Sequence, residues 1–297
     1  MMKYIAYIFG IAFFRALSIL PRFIIYFISD LLFLVLYYIV AYRKKVALKN
    51  IRTSFPEYSK KEVSRLARRF YLHLADVIVE SAASIYFSKR RMNKMYQVSN
   101  PEIFEKYYKE GRSILVSMAH YGNWEWTIPM SLTVQHDVVA VYKPLKNKYF
   151  DRAMQRVRGR YGAHVIPMKN IGRELINFKN NGVLTVSGMV ADQRPIKQHI
   201  QHWVDFLNQK TPVFLGTEKL ATKLDSVVLY GNAVKVKRGV YLAEFQLMSE
   251  SPKLTEQYEI TDKSFKILES IIQKEPAYWL WTHDRWKYKY EDFNEKE

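Results

Sequence analysis

Two apolar runs near the start of the chain restrict most strongly what it can fold into. Tyr4 to Leu20 and Phe23 to Ala41 consist mainly of aromatic and aliphatic side chains, with Pro21 between them and only Arg15 and Asp30 as charged interruptions. A helix that crosses a bilayer needs about 20 apolar residues, so each run is of marginal length. Two spans, one span, a shallow hairpin and an interfacial pair are all compatible with this pattern, as is a helical pair buried in a protein core.

Three basic residues, Arg43, Lys44 and Lys45, follow the second run directly. Because loops rich in Lys and Arg stay on the cytoplasmic side of a membrane, they predict that the rest of the chain is cytoplasmic. The same residues suit contact with anionic lipid head groups. A cleavable signal peptide fits less well, since no small-residue cleavage site follows the first run. We therefore predict hydrophobic membrane-binding helices over residues 1–45.

The charge balance of the chain limits the kinds of partner that it can bind. It carries 46 Lys and Arg against 28 Asp and Glu, a formal net charge of +18, which favours an anionic partner such as a phospholipid surface, a phosphorylated lipid or an acidic protein. A nucleic acid is disfavoured, because the chain has no long Lys/Arg tract and no cysteine for a zinc finger. The lack of cysteine also excludes disulfides, thiolate metal sites and cysteine nucleophiles.

Patterning divides the rest of the chain into a helical collar and an α/β region. Ser59 to Glu62 has the form of a capping box, and apolar residues then recur at helical spacing: Val63, Leu66, Phe70, Leu74, Val77 and Ile78. From Ile114 onward short apolar strands alternate with amphipathic segments, which is typical of a mixed sheet flanked by helices. The predicted strands are Ile114–Met118, Val138–Tyr142, His164–Met168, Val183–Gly188, Val227–Tyr230 and Val240–Leu247. The predicted helices are Trp124–Leu132, Phe150–Tyr161, Ile171–Lys179, Val213–Lys223 and Ser264–Lys274.

The residues best suited to chemistry follow the first of these strands. Five positions on one regular helix separate side chains by about 140°, so His120 and Glu125 can pair only if the chain bends between them. Gly122 and Asn123 supply that bend, and Asn123 is a good N-cap that would leave Glu125 in the first helical turn. A carboxylate on one imidazole nitrogen fixes the tautomer and makes the other nitrogen a better base. We therefore predict His120 as a general base that Glu125 orients.

The pair alone does not establish catalysis. A histidine followed by a glutamate five positions later also occurs as a satisfied core histidine beside a surface glutamate. No second histidine lies four residues from His120, which disfavours a metal site of the zinc-protease type.

Further blocks accompany the segment from His120 to Glu125 along the chain. They are Arg43 to Glu57, Val141 to Pro144 with Asn147 and Asp151, Ala191 to Gln193, and Trp279 to Lys287. Together these blocks resemble the lipid A biosynthesis acyltransferases of lauroyl and myristoyl type, and the likeness covers nearly the whole chain. Glycerolipid acyltransferases share the motif of a histidine and an acid but usually carry aspartate at the position of Glu125, so the lipid A branch is favoured.

The resemblance implies a glycerolipid-acyltransferase-like α/β fold, with residues 46–297 as one acyltransferase domain that includes the collar. It implies an acyl carrier protein as acyl donor, a lipid A precursor as acceptor, membrane phospholipid as surroundings, and neither a cofactor nor a nucleic-acid partner. The enzyme would work at the cytoplasmic face of the inner membrane. His120 would deprotonate a 3-hydroxyacyl hydroxyl group, which would attack the thioester.

Other side chains are candidates for binding the substrate or stabilising the oxyanion. Arg158 is the first choice for the cation, with Arg156 and Arg160 as competitors, although this cluster also fits a solvated helix face. The other candidates are Asn123, Asp192, Gln193, Arg285 and Lys287. Asp192 and Gln193 follow a strand and could order Arg158 or hold a sugar hydroxyl, or simply form a turn. Arg285 and Lys287 could contact phosphate or the membrane interface, whereas Trp279, Trp281 and Trp286 are expected to pack.

One stretch departs from the family pattern. Phe206, Leu207 and Asn208 stand where relatives often have two phenylalanines and a glycine, which affects the expected shape of the acyl or lipid pocket more than the chemistry. Two alternatives to lipid A acylation stay open. The same chemistry could acylate an amino-acid lipid or a lysophospholipid, or the fold could only tether anionic lipid without catalysis.

Overall fold

The structure, a computed structural model, describes residues 2–144 and 147–294. The first residue of the predicted membrane-binding segment and the last three of the predicted acyltransferase domain lie outside these described residues. The helices are α1 (Met2–Ile19), α2 (Arg22–Leu34), α3 (Lys44–Ser54), α4 (Lys60–Ser84), α5 (Lys89–Met95), α6 (Glu102–Lys109), α7 (Lys148–Gly159), α8 (Ile171–Asn180), α9 (Gly216–Leu224), α10 (Glu259–Lys274) and α11 (Glu291–Asn294). The strands are β1 (Tyr96–Val98), β2 (Ile114–Met118), β3 (Asp137–Tyr142), β4 (His164–Pro167), β5 (Thr185–Val190), β6 (Trp203–Phe206), β7 (Gln209–Pro212), β8 (Val227–Lys237) and β9 (Val240–Ser249).

The two apolar runs form α1 and α2. Pro21, which has no backbone N–H and an extended conformation, separates them. A π-helical turn, Val35–Ile39, extends α2. By length and composition Arg22–Ile39 is the one stretch of the described residues that could cross a membrane, and Gly10–Ile19 is a shorter apolar helix.

The helical collar is formed by α3 and α4. The predicted capping box is present at the start of α4, where the Ser59 hydroxyl accepts from the backbone N–H of Glu62 and the Glu62 carboxylate accepts from the backbone N–H of Ser59. Five of the six predicted apolar positions of α4 are buried, and Ile78 is the exposed exception. The capping box and the helical spacing were therefore sufficient to predict this helix.

A seven-stranded sheet with the order β1-β9-β8-β2-β5-β3-β4 forms the centre of the molecule. Its neighbouring strands are parallel except for β8 and β9, which form an antiparallel hairpin. All five residues of β2 are buried. Leu115 faces one core cluster while Ile114 and Val116 face another, so helices cover both faces of the sheet. The predicted fold class, a mixed sheet flanked by helices, is confirmed.

The structure differs from the predicted elements at three places. The segment Trp124–Leu132 is a 3₁₀ helix and not an α-helix, and Pro129 lies inside it. Strand β1 and the separate hairpin of β6 and β7 were not predicted, because these strands have only three or four residues each. Leu207 and Asn208 form the turn of that hairpin with positive φ angles of 51° and 62°.

Candidate active site

The candidate site lies where β2 and β5 end side by side. These parallel strands pair in register, with Met118 opposite Val190, and the backbone N–H of Ala191 donates to the carbonyl of Met118 at 3.1 Å. His120 and Asp192 each lie two positions beyond these strand ends. Carboxyl ends of neighbouring parallel strands meet at one edge of a sheet, which is where α/β folds hold their ligands.

His120 and Asp192 form a close pair. Nδ1 of His120 lies 2.6 Å from Oδ1 of Asp192, and the backbone N–H of His120 donates to Oδ2 at 3.1 Å. Because an ionised carboxylate only accepts hydrogen bonds, Nδ1 carries the proton and Nε2 presents its lone pair. Burial alone would lower the pKa of His120, but the charge and hydrogen bond of Asp192, with a smaller effect of the charge of Glu125, raise it.

The surroundings of Asp192 favour its ionised form. Its side chain is only 3% exposed, and Oδ2 also accepts from Nε1 of Trp279 at 2.8 Å. Burial would raise the pKa of Asp192, but the charge of His120 and the hydrogen bonds from His120 and Trp279 hold it below its usual value. A buried carboxylate with three donors is thus available to stabilise an imidazolium.

Glu125 does not hold the position that the sequence predicted for it. Both ring nitrogens of His120 have other partners, since Asp192 contacts Nδ1 and Nε2 of Gln193 lies 3.2 Å from Nε2. The Glu125 carboxylate instead lies 3.5 Å from Nη2 of Arg158. The chain does turn at Gly122, as predicted, but the carboxylate that contacts the histidine comes from the neighbouring strand.

An apolar cavity opens beside this pair. Trp124, whose ring meets the ring of His120 edge-on at 5.3 Å, forms part of its wall. Most of the other lining residues are apolar and come from β2, β3, β5 and the 3₁₀ helix, and they include Val116, Met118, Ile128, Met130, Val138 and Val190. Glu125 and Arg158 are the charged residues of this lining. The cavity suits an alkyl chain whose polar end lies near a charged pair.

Arg158 is the arginine of its cluster that lines the cavity. Arg160 donates to the backbone carbonyl of Ile85 at 2.9 Å, and Arg156 is exposed. Arg158 also lines a second small pocket with Glu125 and lies 5.8 Å from the ring centre of Tyr142. The structure therefore separates Arg158 from its two predicted competitors.

The C-terminal block supports the loop that carries His120. The backbone N–H of Leu280 donates to the carbonyl of His120, and the N–H of Gly122 donates to the carbonyl of Tyr278. Trp279 and Trp281 are buried, as predicted. Phe206 packs edge-on against Trp279, which in turn donates a hydrogen bond to Asp192. The β6–β7 hairpin therefore supports Asp192 indirectly and does not line the apolar cavity.

Gly122 and Asn123 are fixed on the other side of the loop. Gly122 has a φ of 59°, and a Cβ atom there would lie 2.0 Å from the carbonyl oxygen of Ala233, so only glycine fits. Asn123 is fully buried, makes no cap hydrogen bond, and donates from Nδ2 to the Glu80 carboxylate at 2.8 Å. The prediction of Asn123 as a helix cap was therefore wrong, because Glu80 engages its amide nitrogen, and its role in substrate binding stays a prediction.

The two basic residues of the C-terminal block lie in different surroundings. Arg285 is fully buried and donates to the backbone carbonyl of Pro212 at 2.6 Å, so it does not contact a membrane or a surface phosphate. Burial lowers the pKa of Arg285 to about 9. Lys287 is exposed. No group of three or more potential metal ligands occurs among residues 2–144 and 147–294.

Sequence analysis missed a polar cluster on α4 that consists of His73, Asp76 and Glu80, all of them buried. Nε2 of His73 donates to the carbonyl of Gly122 at 3.1 Å, and Glu80 holds Asn123. The signal was present, because these three polar residues recur at helical spacing on a face that is otherwise apolar. The α4 polar cluster therefore holds the loop that begins at His120 from the side opposite Asp192.

The comparisons with known proteins agree with this geometry. The family model described as bacterial lipid A biosynthesis acyltransferase matches residues 1–288. The chain is 21% identical over 249 residues, 82% of its length, to the lipid A biosynthesis palmitoleoyltransferase of Escherichia coli (strain K12), of which 79% is covered. Identity and coverage are the same for the lipid A biosynthesis acyltransferase of Shigella flexneri. With the family model matched over almost its whole length, this chain is an acyltransferase and belongs to the bacterial lipid A biosynthesis acyltransferase family.

Proposed function

We propose that this enzyme transfers a fatty acyl group from the thioester of an acyl carrier protein to a hydroxyl group of a lipid A precursor. The observation that carries the proposal is a histidine with one nitrogen fixed by a buried carboxylate, placed beside an apolar cavity. The net charge of +18 supports an acidic carrier protein as the donor, since opposite charge accelerates association.

His120 acts as the general base. Nε2 takes the proton of the acceptor hydroxyl in place of the contact with Gln193, and the oxygen attacks the thioester carbonyl. Asp192 keeps the proton on Nδ1 and stabilises the imidazolium. The tetrahedral intermediate then expels the thiolate of the carrier, which receives the proton from His120. No proton is left over and no cofactor is required.

Arg158 stabilises the negative charge of the intermediate. It lies at the polar end of the apolar cavity, and its contact with Glu125 holds it in that wall. Glu125 is thus a positioning residue for Arg158. Its charge also adds to that of Asp192 in raising the pKa of His120.

The acceptor lipid reaches the base through a second groove. Gln193, which faces Nε2 of His120, lines this groove together with Leu36, Tyr42 and Arg43. The groove therefore begins at the end of the N-terminal apolar segment and leads to the catalytic histidine. This arrangement supports work at the cytoplasmic face of the inner membrane, where basic residues contact anionic lipid.

Acyl transfer measured with purified components tests the proposal. We expect the enzyme to acylate a tetra- or penta-acylated lipid A precursor when an acyl carrier protein thioester is supplied, with product detected by mass spectrometry. A lysophospholipid and an amino-acid lipid serve as alternative acceptors, and acyl coenzyme A as the alternative donor. Transfer to either alternative acceptor with none to the lipid A precursor would contradict the proposal.

A pair of histidine variants tests the assigned base. His120→Ala is expected to lower the rate by at least about 10²-fold, because it removes the general base. His199→Ala is the matched control, since His199 is exposed and lies in a short 3₁₀ turn away from β2. Equal activity of the two variants would show that His120 is not the base.

A further inference from the structure

The apolar helix α2 has two faces of opposite character. One face is exposed and apolar, and we call it the N-terminal stripe: Phe23, Phe27, Leu31, Leu34 and Tyr38. These residues recur every three or four positions, so they form one side of the helix. Phe23 and Phe27 are 74% and 62% exposed. A continuous row of exposed aromatic and aliphatic side chains on one side of a helix marks a contact surface.

The opposite face of α2 is polar and is tied to the catalytic domain. Ser29 donates to Oδ1 of Asp76 at 2.7 Å, and Tyr26 donates to Oε1 of Glu80 at 3.0 Å. Asp30 accepts from Nη2 of Arg238 at 2.6 Å. Three hydrogen bonds over five residues therefore bind α2 along α4 and the β8–β9 hairpin.

These polar partners belong to a charged network centred on Asp76, whose outer members Arg238 and Asp30 are 36% and 51% exposed. Asp76 is 5% exposed in its side chain and pairs with Lys235 at 3.0 Å and with Arg238 at 2.6 Å. A charged side chain at the centre of a bilayer is strongly disfavoured. If α2 crossed the bilayer while it kept these contacts, Asp76, Lys235 and Arg238 would have to enter the hydrocarbon with it. The observed docking is therefore incompatible with a transmembrane α2.

The charges that flank the stripe identify its occupant. Arg22 precedes the stripe directly, and Arg43, Lys44 and Lys45 follow it. An apolar helix face with basic residues at both ends suits an anionic lipid surface, where the apolar side chains enter the acyl boundary and the cations contact phosphates. A second protein copy offers no such complement, because a chain of net charge +18 repels itself.

We propose that α2 lies in the plane of the membrane interface, with the N-terminal stripe in the lipid and Tyr26, Ser29 and Asp30 holding its other face on the catalytic domain. The proposal deepens the proposed function and rests on its membrane location. It also explains why Asp30 interrupts an apolar run: the carboxylate is a docking contact for Arg238.

The same contacts connect the lipid surface to the catalytic loop. The Glu80 carboxylate accepts from Tyr26 of α2, from Asn123 of the loop, and from Tyr241 of β9. One carboxylate thus joins the helix at the interface to the residue three positions after His120. The height of the catalytic histidine above the lipid is set by this connection.

Depth measurements test the orientation of α2. The chain has no native cysteine, so a single cysteine can carry a fluorophore at each of four positions of the stripe: Phe23→Cys, Phe27→Cys, Leu31→Cys and Leu34→Cys. The full chain is bound to vesicles of phosphatidylethanolamine and phosphatidylglycerol that contain a quencher at a shallow or a deep position of the acyl chain. Leu254→Cys is the matched control, because Leu254 is 85% exposed and lies outside the helices.

An in-plane helix predicts the same result at all four positions, with stronger quenching by the shallow quencher and none at Leu254. Deep quenching that peaks at Leu31 and falls toward Phe23 would overturn the proposal, because that pattern belongs to a spanning helix. Absence of quenching along the whole stripe would also overturn it, since a protein partner or a second copy would then cover the stripe. Acyl transfer measured on the same samples keeps a failure of this inference distinct from a failure of the proposed function.

Discussion

Two histidines, the partly buried His120 and the buried His73, contact the same loop from opposite sides. His120 begins the loop and has Asp192 on Nδ1, whereas His73 donates from Nε2 to the carbonyl of Gly122 and has Nζ of Lys235 at 3.4 Å from Nδ1. The pKa of His120 is raised, because Asp192 outweighs the effect of burial. The pKa of His73 is lowered to about 3 by burial and by the charge of Lys235.

The comparison shows that burial alone does not make a histidine a base. Protein atoms surround most of both rings. Only His120 combines an anionic partner on Nδ1 with a second nitrogen, Nε2, that faces a groove. His73 has a cation where His120 has an anion, so it stays neutral and serves as a hydrogen-bond donor. Partner charge and access therefore distinguish His120, the proposed base, from the structural His73.

Removing the anionic partner of His120 is expected to have the largest effect. Asp192→Asn keeps the shape of the side chain but loses its charge, so the tautomer and the imidazolium are no longer stabilised. We expect kcat/KM to fall by about 10²- to 10⁴-fold. Because the pKa of His120 falls as well, the acid limb of the pH–rate profile of kcat/KM should move to lower pH. An unchanged acid limb would show that Asp192 does not act on His120.

Changing the structural histidine is expected to affect stability and not the rate. His73→Phe leaves the carbonyl of Gly122 without its donor and should lower the free energy of unfolding by about 1–3 kcal/mol. His73→Gln is the control that retains a donor. A loss of activity in His73→Gln as large as in Asp192→Asn would remove the distinction between the two histidines.

The depressed pKa of His73 makes stability depend on pH. Since the unfolded chain binds a proton near pH 6.5 and the folded chain near pH 3, His73 destabilises the fold progressively as pH falls through that interval. The contribution has a slope of at most about 1.4 kcal/mol per pH unit. The free energy of unfolding of wild type minus that of His73→Gln should therefore rise from pH 4 to pH 6. A difference that does not vary with pH would contradict the assignment.

Removing the charge of Glu125 is expected to have a smaller effect. Glu125→Gln should move the acid limb of the profile in the same direction as Asp192→Asn but by less, because its carboxylate does not contact His120. The loss of its partly exposed contact with Arg158 should lower kcat by about fivefold or less, the equivalent of about 1 kcal/mol. A loss greater than that of Asp192→Asn would restore Glu125 as the orienting carboxylate.

The smallest effect is expected at Glu80. Burial and the charge of Asp76 raise its pKa to about 7, so its contribution to stability is present below pH 4.5 and is lost as pH rises through 7. Glu80→Gln should therefore be more stable than wild type only on the alkaline side of this interval. Thermal midpoints at pH 5 and pH 8 measure the effect, and the opposite order would refute it.

Sequence patterns predicted the parts of this molecule that local rules determine. Strand β2 occurs at the predicted residues because a short run with four apolar residues out of five, bounded by polar segments, is typical of a buried strand. The capping box predicted the start of α4, because its two reciprocal hydrogen bonds belong to a helix N-terminus. The two short strands of the β6–β7 hairpin carry too few residues for a period to be visible.

The partner of His120 could not be predicted from local patterns. Asp192 lies 72 positions away, and the two meet only because β2 and β5 are neighbours in the sheet. Sequence analysis had Asp192 among the site residues but assigned the contact to Glu125, which is close in sequence. The complete burial of Arg285 could not be predicted, because nothing in its sequence neighbourhood shows that the fold encloses it.

The tip of the β8–β9 hairpin has an unusual constraint for a surface turn. Gly239 has a φ of 75°, and a Cβ atom there would lie 1.8 Å from the hydroxyl oxygen of Tyr26. Surface turns normally accept substitutions freely. A side chain at 239 would press on Tyr26, whose hydroxyl donates to Glu80, so the sequence of this turn is coupled to the docking of α2.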